Sequence, residues 1–312
     1  MHNYTYSIVI PHYNSADYLK RMLASIPERD DIQIIVVDDG SKEKEKQKLS
    51  FLKHANLQIV YSPQNYGGGT ERNVGFEKVE GKWFIGCDAD DFFSEGAFDI
   101  LDKYTDSDID YLCFCIKVIE DKTLKRMVCP IKSDESVRNY LKCRNRKSLI
   151  NFKFRNFEPW NKMISVDFMK RENICWEKCR INIDVMFGLQ IGLRAKKFFA
   201  IPDELYNLVF TEGSITRKKK SIEREFGFFL QVMKRNTIYK ALQIGFPLYR
   251  PSILYLPFLL KKRGLADTIA FYKYKREHDS EYKEALVAYL PLLKGIDKKA
   301  VLELPKQNVP NK

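Results

Sequence analysis

Apolar runs alternate with helix-like stretches along the first 120 residues. The runs are rich in Ile, Val and Phe and are typical of buried strands: 6–10, 32–38, 57–61, 83–87 and 109–119. Between them lie helical patterns at Ala16–Ile26, Glu43–His54, Thr70–Val79 and Glu95–Tyr104. This alternation predicts an α/β fold with a mostly parallel, buried sheet flanked by helices.

The pattern loosens after residue 120. An aromatic loop is predicted at 156–164, a loop and then a helix within 180–195, and a further strand at 200–210. Helical periodicity returns from Ser221, just after the basic run Arg217–Lys220. We therefore predict one α/β domain over residues 1–218 and a helical C-terminal region over residues 219–312.

Composition narrows the class of protein. The chain has 312 residues, 45% of them hydrophobic and 30% charged, as in a soluble globular protein. Seven scattered cysteines, with no signal peptide and no apolar run long enough for a membrane span, predict a cytoplasmic protein with reduced thiols. The net charge of +12 suggests an anionic partner, although a solvated basic surface remains an alternative.

Polar residues follow three of the predicted strands. They are "PHYN" (Pro11–Asn14), "DDGS" (Asp38–Ser41) and "DADD" (Asp88–Asp91). Ligands of open parallel sheets bind outside the carboxyl ends of the strands. The three segments therefore predict one acidic rim, with His12 lining the cleft.

Each acidic segment has two interpretations. The carboxylates of "DADD" suit a divalent cation shared with substrate phosphates, or they form an Asp-rich turn in which Asp91 or Ser94 caps a helix. "DDGS" suits recognition of a ribose or a base, or it is a turn with Gly40 at positive φ. The glycines of "NYGGGTERNVG" (65–75) bring backbone N–H groups near a phosphate, or they form a flexible turn.

The order of these motifs is more specific than any one of them. "SIVIPHYN", "IIVVDDGS", "NYGGGTERNVG" and "WFIGCDADD" together resemble the family 2 glycosyltransferases of the GT-A fold. "PWNKMI" and "INIDVMF" resemble the acceptor half of bacterial members that build polysaccharides and surface glycans. The resemblance covers roughly residues 5–217 and implies inverting transfer of a sugar from a UDP-sugar to a glycan or lipid-linked acceptor.

The resemblance also implies residue roles. Residues 1–110 would bind the nucleotide-sugar and residues 111–218 the acceptor. Asp90 would be the principal ligand of Mn²⁺ or Mg²⁺, together with Asp88. The residues implied to bind the nucleotide-sugar are Pro11, Tyr13, Asn14, Asp38, Asp39, Gly68, Arg72, Asp88 and Ala89. Relatives often carry Ala where this chain has Glu71, which affects the expected packing of the local helix.

The acceptor half contains the implied catalytic base. Relatives usually carry Glu-Asp where this chain has Ile183-Asp184, so Asp184 is the implied base, and its alternative is a helix N-cap. Trp160, Asn161 and Lys162 are expected at the sugar or acceptor, although Trp160 also suits a core position. Lys218–Lys220 are expected near the diphosphate.

Other functions also fit parts of the sequence. Ile183 motivates a nucleotide-sugar-binding protein with impaired catalysis. A nucleotidyltransferase would need a glycine-rich loop after the first strand, which "PHYNSADYL" does not offer. An acidic cleft argues against nucleic-acid binding.

The segment 246–263 is unexplained by the transfer chemistry. "FPLYRPSILYLPFLLKKR" carries Leu254, Leu256, Phe258 and Leu259 before a basic triplet, and its three prolines argue against a long regular helix. It suits peripheral contact with an anionic membrane at the inner face of the cell membrane. Folding back on the catalytic domain or a homodimer contact is the alternative.

Overall fold

The chain forms two compact units. The computed structural model describes residues 2–179, 181–210, 221–245 and 248–304. Residues 2–210 and Leu304 belong to the first unit, and residues 221–303 form the second. The predicted boundary near residue 218 and the basic run that ends at Lys220 lie outside the described residues.

The strands of the first unit form one sheet. Within the described residues there are nine: β1 (Tyr4–His12), β2 (Ile32–Asp38), β3 (Leu57–Tyr61), β4 (Gly81–Gly86), β5 (Phe92–Phe93), β6 (Tyr111–Glu120), β7 (Arg126–Met127), β8 (Lys162–Ser165) and β9 (Phe198–Phe210). Their order is β3-β2-β1-β4-β8-β6-β9-β5, and β7 pairs with β6. The strands predicted from apolar runs, including the one at 200–210, are confirmed.

The direction of the strands positions the site. β3, β2, β1 and β4 are parallel, and His12 at the end of β1 lies in register with Asp38 at the end of β2. The polar segments that follow β1, β2 and β4 therefore lie along one edge of the sheet. Beyond β4 the sheet is mixed, because the short strand β8 runs antiparallel to both β4 and β6, whereas β9 is parallel to β6.

Eight helices flank the sheet in the described part of the first unit. They are α1 (Ala16–Ala24), α2 (Glu43–Ser50), α3 (Gly68–Phe76), α4 (Ala97–Leu101), α5 (Lys132–Lys142), α6 (Arg146–Arg155), α7 (Val166–Arg171) and α8 (Asp184–Arg194). The four helices predicted in the first half are confirmed; three have shorter bounds, and α3 begins two residues earlier and ends three residues earlier than predicted. Sequence reasoning missed α6, although Asn145 and Ser148 form a capping box at its start. It also missed β8 within the expected aromatic loop.

The sheet is buried on both faces. Along β1, Ile8 and Ile10 pack in one apolar cluster, whereas Val9 between them packs in the other. The same alternation in β2 places Ile34 and Ile35 on opposite faces. This explains why both strands are continuous apolar runs in the sequence.

The second unit is helical. In its described residues it contains α9 (Ile222–Ala241), α10 (Tyr255–Glu277) and α11 (Asp279–Ala285). α10 is interrupted at Gly264, which has φ 83° and ψ 177°. Pro257 lies in the first turn, where a missing N–H costs no helical hydrogen bond. The expected break in a long helix is therefore present, but it occurs at a glycine. None of the helices in the described ranges combines the length and apolar content needed to cross a membrane.

Candidate active site

The loops after β1 and β2 are joined by a buried histidine. His12 Nδ1 lies 2.9 Å from Asp38 Oδ1, and its Nε2 accepts the backbone N–H of Ser15 at 3.1 Å. We therefore assign the ring proton to Nδ1, which donates to Asp38. The expectation that His12 lines the cleft is wrong, because its ring is only 1% exposed and both nitrogens are bonded inside the protein.

Asp38 has a donor for each carboxylate oxygen. The second oxygen accepts the backbone N–H of Ser41 at 3.1 Å. Burial raises the pKa of Asp38, but the hydrogen bonds from His12 and Ser41 outweigh it and hold the pKa below its ordinary value. Gly40, between the two, has the positive φ (68°) predicted for this turn.

Asp39 holds the loop before α3. Its two oxygens accept the backbone N–H groups of Tyr66 at 2.6 Å and Gly67 at 3.0 Å. Glu71 is fully buried nearby and accepts the hydroxyl of Ser62 at 2.8 Å. Burial raises the pKa of Glu71 to about 7, and the neighbouring carboxylate of Asp39 adds to this rise. Glu71, where relatives often carry Ala, thus lies beneath this loop, and α3 still forms.

The rim after β1 combines a rigid turn with an open ring. The backbone N–H of Asn14 donates to Ser41 Oγ at 2.8 Å, and Asn14 Oδ1 accepts the backbone N–H of Lys42 at 2.9 Å. Tyr13 is half exposed, and Pro11 is partly exposed. The ring of Tyr13, predicted at the base, is therefore accessible from outside the protein, and Pro11 is accessible in part.

Glycines allow the start of α3 to approach the segment before α8. Gly67 precedes the helix with φ 93°. A Cβ on Gly69 would lie 2.9 Å from the backbone oxygen of Glu177, and one on Gly68 would lie 3.3 Å from the side chain of Ile183. Any larger residue at Gly69 would push these segments apart. Their approach places Arg72 of α3 near the first residue of α8.

Arg72 joins the two predicted halves of the site. Its guanidinium donates to Asp88 and lies 4.0 Å from Asp184 Oδ1, while only 3% of the residue is exposed. Burial lowers the pKa of Arg72, but the charges of Asp184 and Asp88 outweigh it and raise the pKa. A permanent cation therefore lies between two carboxylates that are far apart in the sequence.

The residues of the "DADD" segment alternate between partly exposed and buried positions. Ala89 is buried in the core, whereas Asp88 and Asp90 on either side of it are partly exposed. Burial raises the pKa of Asp90 to about 6, and the charge of Asp88 adds to the rise. Within the described residues, no side chain donates a hydrogen bond to the carboxylate of Asp90. Its own backbone N–H and the charge of Arg21 lower this pKa, but they do not outweigh burial and the charge of Asp88.

Asp91 has a different role. It is 1% exposed and accepts the backbone N–H of Val209 at 2.7 Å, which connects the segment to β9. Ser94 donates its hydroxyl to the backbone oxygen of Glu204, and α4 begins after Gly96 with no side-chain cap. The alternative in which Asp91 or Ser94 caps a helix is therefore wrong.

Asp88 and Asp90 are a chemical match for a hard divalent cation. The described residues contain no group of three or more His, Cys, Asp or Glu side chains able to hold a metal by themselves. Mg²⁺ commonly takes one or two carboxylates and completes its shell with water and substrate phosphates. The charge of a cation would also oppose the rise in the pKa of Asp90 that burial and the charge of Asp88 cause. Two partly exposed carboxylates thus fit a cation shared with a diphosphate.

Asp184 is the first residue of α8, and the N-cap is Ile183. Its Oδ1 accepts the indole Nε1–H of Trp176 at 2.9 Å, so the alternative in which Asp184 is only a helix cap is wrong. Burial raises the pKa of Asp184, although Arg72 and Trp176 oppose the rise. The arrangement holds one carboxylate in a fixed orientation beside the predicted donor side.

The three residues predicted at the acceptor are buried. Trp160 stacks on Tyr206 with ring centroids 5.9 Å apart and planes 5° apart. Lys162 is 1% exposed, and its Nζ donates to Asn156 Oδ1 at 2.8 Å and Asn161 Oδ1 at 2.9 Å. Burial lowers the pKa of Lys162, and Asp184 is among the nearby groups that oppose this. The structure therefore places these residues within the protein, and their part in acceptor binding stays a prediction.

A family comparison identifies the class of protein. The model described as "Glycosyl transferase family 2" matches residues 7–171, more than half of the chain. The chain belongs to glycosyl transferase family 2. The match includes the ends of β1, β2 and β4 and ends before Asp184. Membership in this family argues against the nucleotidyltransferase alternative.

Alignments of this family 2 glycosyltransferase with curated relatives cover different shares of the chain. A cholesterol galactosyltransferase of Borreliella burgdorferi is 24% identical over an alignment of 326 positions, which covers 95% of this chain and 85% of the relative. The poly(ribitol-phosphate) beta-N-acetylglucosaminyltransferase TarS of Staphylococcus aureus is 30% identical over 96 residues, which are 29% of this chain and 17% of TarS.

Solved structures confirm the GT-A fold. The S. aureus TarS 1–349 structure in complex with UDP-GlcNAc has a TM-score of 0.61 at 20% identity, covering 92% of this chain and 81% of that chain. At this identity the likeness concerns the fold alone. The predicted fold class is thereby confirmed.

Sequence reasoning missed several supporting residues of this glycosyltransferase. The backbone N–H of Asp88 donates to the hydroxyl of Tyr206 at 3.0 Å, and Arg21 donates to the backbone oxygen of Asp90 at 2.7 Å. Trp176 orients Asp184, as described above. No local motif marks these residues, because each acts on a partner from a distant part of the chain.

Proposed function

We propose that this family 2 glycosyltransferase transfers a sugar from a UDP-sugar to a hydroxyl group of a glycan or lipid-linked acceptor, with inversion at the anomeric carbon. The proposal rests chiefly on the contacts of Arg72, which pairs with Asp88 and lies 4.0 Å from Asp184. One buried cation thus joins Asp88, one of the two carboxylates proposed for the donor side, to the single carboxylate proposed as base.

The donor part of the proposal draws on both the site and the relatives. TarS has a structure in complex with UDP-GlcNAc, and another relative is named a galactosyltransferase. In this chain we propose that Pro11 and Tyr13 contact the uracil, while Asn14, Asp38 and Asp39 shape the loops around the nucleoside. The half-exposed ring of Tyr13 supports stacking on a base.

We propose that Asp88 and Asp90 hold Mn²⁺ or Mg²⁺ together with the donor diphosphate. When bound, such an ion would neutralise the negative charge that develops on the departing UDP. The pKa of about 6 for Asp90 supports this assignment, because nearby positive charge would stabilise its ionised form.

The bond changes follow from one displacement. Asp184 accepts the proton of the acceptor hydroxyl, whose oxygen forms a bond to the anomeric carbon. The bond from that carbon to the diphosphate oxygen breaks, and UDP leaves with the electron pair. A single displacement inverts the configuration. The raised pKa of Asp184 suits a general base better than that of an ordinary exposed carboxylate.

The acceptor is proposed by class only. Two of the relatives that match this chain are named for cholesterol and poly(ribitol-phosphate), both of which offer hydroxyl groups. We propose that Trp160, Asn161 and Lys162 support the acceptor side from beneath, because their side chains are buried and bonded internally. The relative named for cholesterol aligns over most of this chain, which favours testing lipid acceptors first.

The test is UDP release from a panel of UDP-sugars, with cholesterol and short glycans as acceptors and with Mn²⁺, Mg²⁺ or EDTA. We expect release that depends on the acceptor and the metal, and a product of inverted anomeric configuration by NMR. UDP-sugar binding without turnover across the panel would instead favour the catalytically impaired binding protein that Ile183 suggests.

A further inference from the structure

The second unit presents apolar side chains to solvent along the start of α10. Ile253 is 75% exposed, and four further residues before Gly264 are about 40% exposed. We call these residues the α10 surface: Ile253, Leu254, Leu256, Phe258 and Leu260. Leu256 and Leu260 are four residues apart in the helix and therefore share one side of it.

Contacts on the buried side of α10 hold the helix so that the α10 surface stays exposed. Tyr255 and Leu259 are buried in the second unit, and the hydroxyl of Tyr255 donates to Glu225 at 2.9 Å. Arg263 Nη1 contacts the same carboxylate at 3.3 Å. Burial raises the pKa of Glu225, but Lys262, Tyr255 and Arg263 outweigh it and lower the pKa. A buried ionised group thus holds the inner side of the helix.

One residue of the predicted membrane segment is therefore placed differently. Its apolar character groups Leu259 with Leu254, Leu256 and Phe258, but Leu259 is 0% exposed and packs in the core of the second unit. The exposed set is thus smaller than the sequence suggests.

The apolar exposure continues after the interruption at Gly264. Leu265 is 66% exposed and Ile269 is 61% exposed, again four residues apart. Exposed apolar residues on this scale usually mark a surface that contacts another molecule or a membrane.

The charges around this surface are basic. Lys261 is exposed, and 42% of the Lys262 side chain remains exposed although it bonds to Glu225. From residue 253 to residue 270 the only carboxylate is that of Asp267, which pairs with Arg263. Residues 221–304 carry fifteen Lys and Arg against nine Asp and Glu.

A cleft lies beside the α10 surface. Its volume is about 420 Å³, and Ile253 and Leu256 line it together with Tyr272, Lys275 and Tyr282. Lys275 Nζ lies 3.6 Å from the centre of the Tyr282 ring. Tyrosines with a nearby lysine suit the boundary between lipid chains and head groups.

We propose that the α10 surface docks on a lipid bilayer that contains anionic head groups. Leucine, isoleucine and phenylalanine side chains would enter the boundary region, while Lys261 would face the lipid phosphates. A second copy of the chain fits less well, because two copies of this surface would bring their lysines together. The proposal concerns the second unit and does not depend on the proposed transfer chemistry.

The experiment is flotation of the full chain with vesicles of pure phosphatidylcholine and of an equimolar mixture of phosphatidylcholine and phosphatidylglycerol. We expect binding to the mixed vesicles that weakens with added salt. The triple variant Ile253→Ser, Leu256→Ser, Leu260→Ser should lower the partition coefficient onto the mixed vesicles by about 100-fold. Burial of each of these apolar side chains in the bilayer raises that coefficient roughly tenfold or less.

A matched control removes exposed apolar residues from the first unit. Phe51→Ser, Leu124→Ser, Val128→Ser changes side chains that are 81%, 53% and 103% exposed, and it should bind vesicles as the wild type does. Circular dichroism and a thermal melt verify that both triple variants are folded.

A second pair of variants tests the charges. Lys261→Gln should weaken binding to the mixed vesicles by about fivefold. Lys53→Gln, an exposed lysine of the first unit, should leave it unchanged.

Three outcomes would overturn the proposal. The first is absence of the wild-type protein from the floating fraction at low salt. The second is equal binding by the folded α10 triple variant and the wild type. The third is a dimer in solution that the α10 triple variant dissociates while neither protein binds vesicles, which would make the surface a contact between copies.

Discussion

The ends of β2 and β4 both carry acids, but Asp38 and Asp39 lie in a different environment from Asp90. After β2, Asp38 and Asp39 are buried, and each of their carboxylate oxygens accepts a hydrogen bond from within the protein. After β4, Asp90 lacks a side-chain donor among the described residues. The charge of Asp88 raises the pKa of Asp90, and the charge of Asp90 in turn raises that of Asp91. The pKa of Asp38 is lowered, whereas that of Asp90 is raised to about 6.

The difference shows what decides the chemistry of an acidic strand end. Both segments follow a buried strand, so burial favours the neutral acid in each. At β2, backbone N–H groups and His12 supply enough donors to reverse this effect. At β4, Asp88 pairs with Arg72, whereas burial and the charge of Asp88 keep the pKa of Asp90 raised, so added positive charge would favour its ionised form. The β2 end therefore stabilises the loops, and the β4 end is the better candidate for a cation.

The largest expected effect tests the β4 end. Asp90→Asn should reduce transfer to background and remove Mn²⁺-dependent UDP binding, because an amide cannot replace an anionic ligand. Calorimetry of UDP binding with and without Mn²⁺ measures this directly. Asp91→Asn is the matched control, since its amide oxygen can still accept the N–H of Val209. Unchanged metal-dependent affinity in Asp90→Asn would contradict the assignment.

The second largest effect is expected at Asp184, the proposed catalytic base. Asp184→Asn should keep the fold and the affinity for the UDP-sugar but lower the transfer rate by about 10²- to 10⁴-fold, because the amide cannot accept the acceptor proton. Single-turnover kinetics measures the rate, and Asp167→Asn, an exposed acid of α7, is the control. Transfer at a near wild-type rate would mean that the base lies elsewhere.

A smaller effect is expected at Trp176. Trp176→Phe keeps an aromatic ring for the stack on Phe187, whose centroid is 3.8 Å away, but removes the donor to Asp184. Because that hydrogen bond lowers the pKa of Asp184, its loss should raise this pKa. The acid limb of the rate profile should move to higher pH, with a loss of about tenfold on the acid side and little change at alkaline pH.

The charged groups around Asp184 are unchanged in this variant. Burial and Asp88 raise its pKa, and Arg72 and Lys162 lower it. Trp83→Phe is the control, because it removes an indole donor to the backbone oxygen of Thr105 in the core. That variant should lose stability without moving the profile. If both variants give the wild-type profile, Trp176 is a packing residue only.

The smallest expected effect on activity is at Glu71, beside Asp39 of the β2 end. Its pKa is raised from 4.5 to about 7 in the fold, so the native state binds the proton more tightly than the unfolded chain does. The free energy of unfolding should therefore fall as pH rises from about 4.5 to about 7, by on the order of 2 kcal/mol. Glu71→Gln should flatten this dependence and leave the transfer rate nearly unchanged.

Urea unfolding at several pH values measures the dependence. Glu77→Gln, at an exposed position just after α3, should follow the wild-type curve. Parallel curves for Glu71→Gln and the wild type would show that Glu71 titrates as an ordinary acid in the fold.

The sequence by itself determined the α/β architecture and the location of the acidic rim. Strand and helix periodicities are local, and burial on both faces makes β1 and β2 continuous apolar runs. Parallel strands bring their carboxyl ends to one edge, so "DDGS" and "DADD" were placed correctly from their positions in the chain. The order of these motifs was sufficient to indicate the family.

Only the tertiary structure decided the partner of each side chain. Local patterns show that a residue is buried or polar, but they do not show which distant segment packs against it. Arg72 meets both Asp88 and Asp184 because the glycines of α3 let the segment before α8 approach. His12 and Lys162 turn inward because donors and acceptors from other elements enclose them. In the second unit, Glu225 holds the inner side of α10 and thereby determines which apolar residues remain exposed.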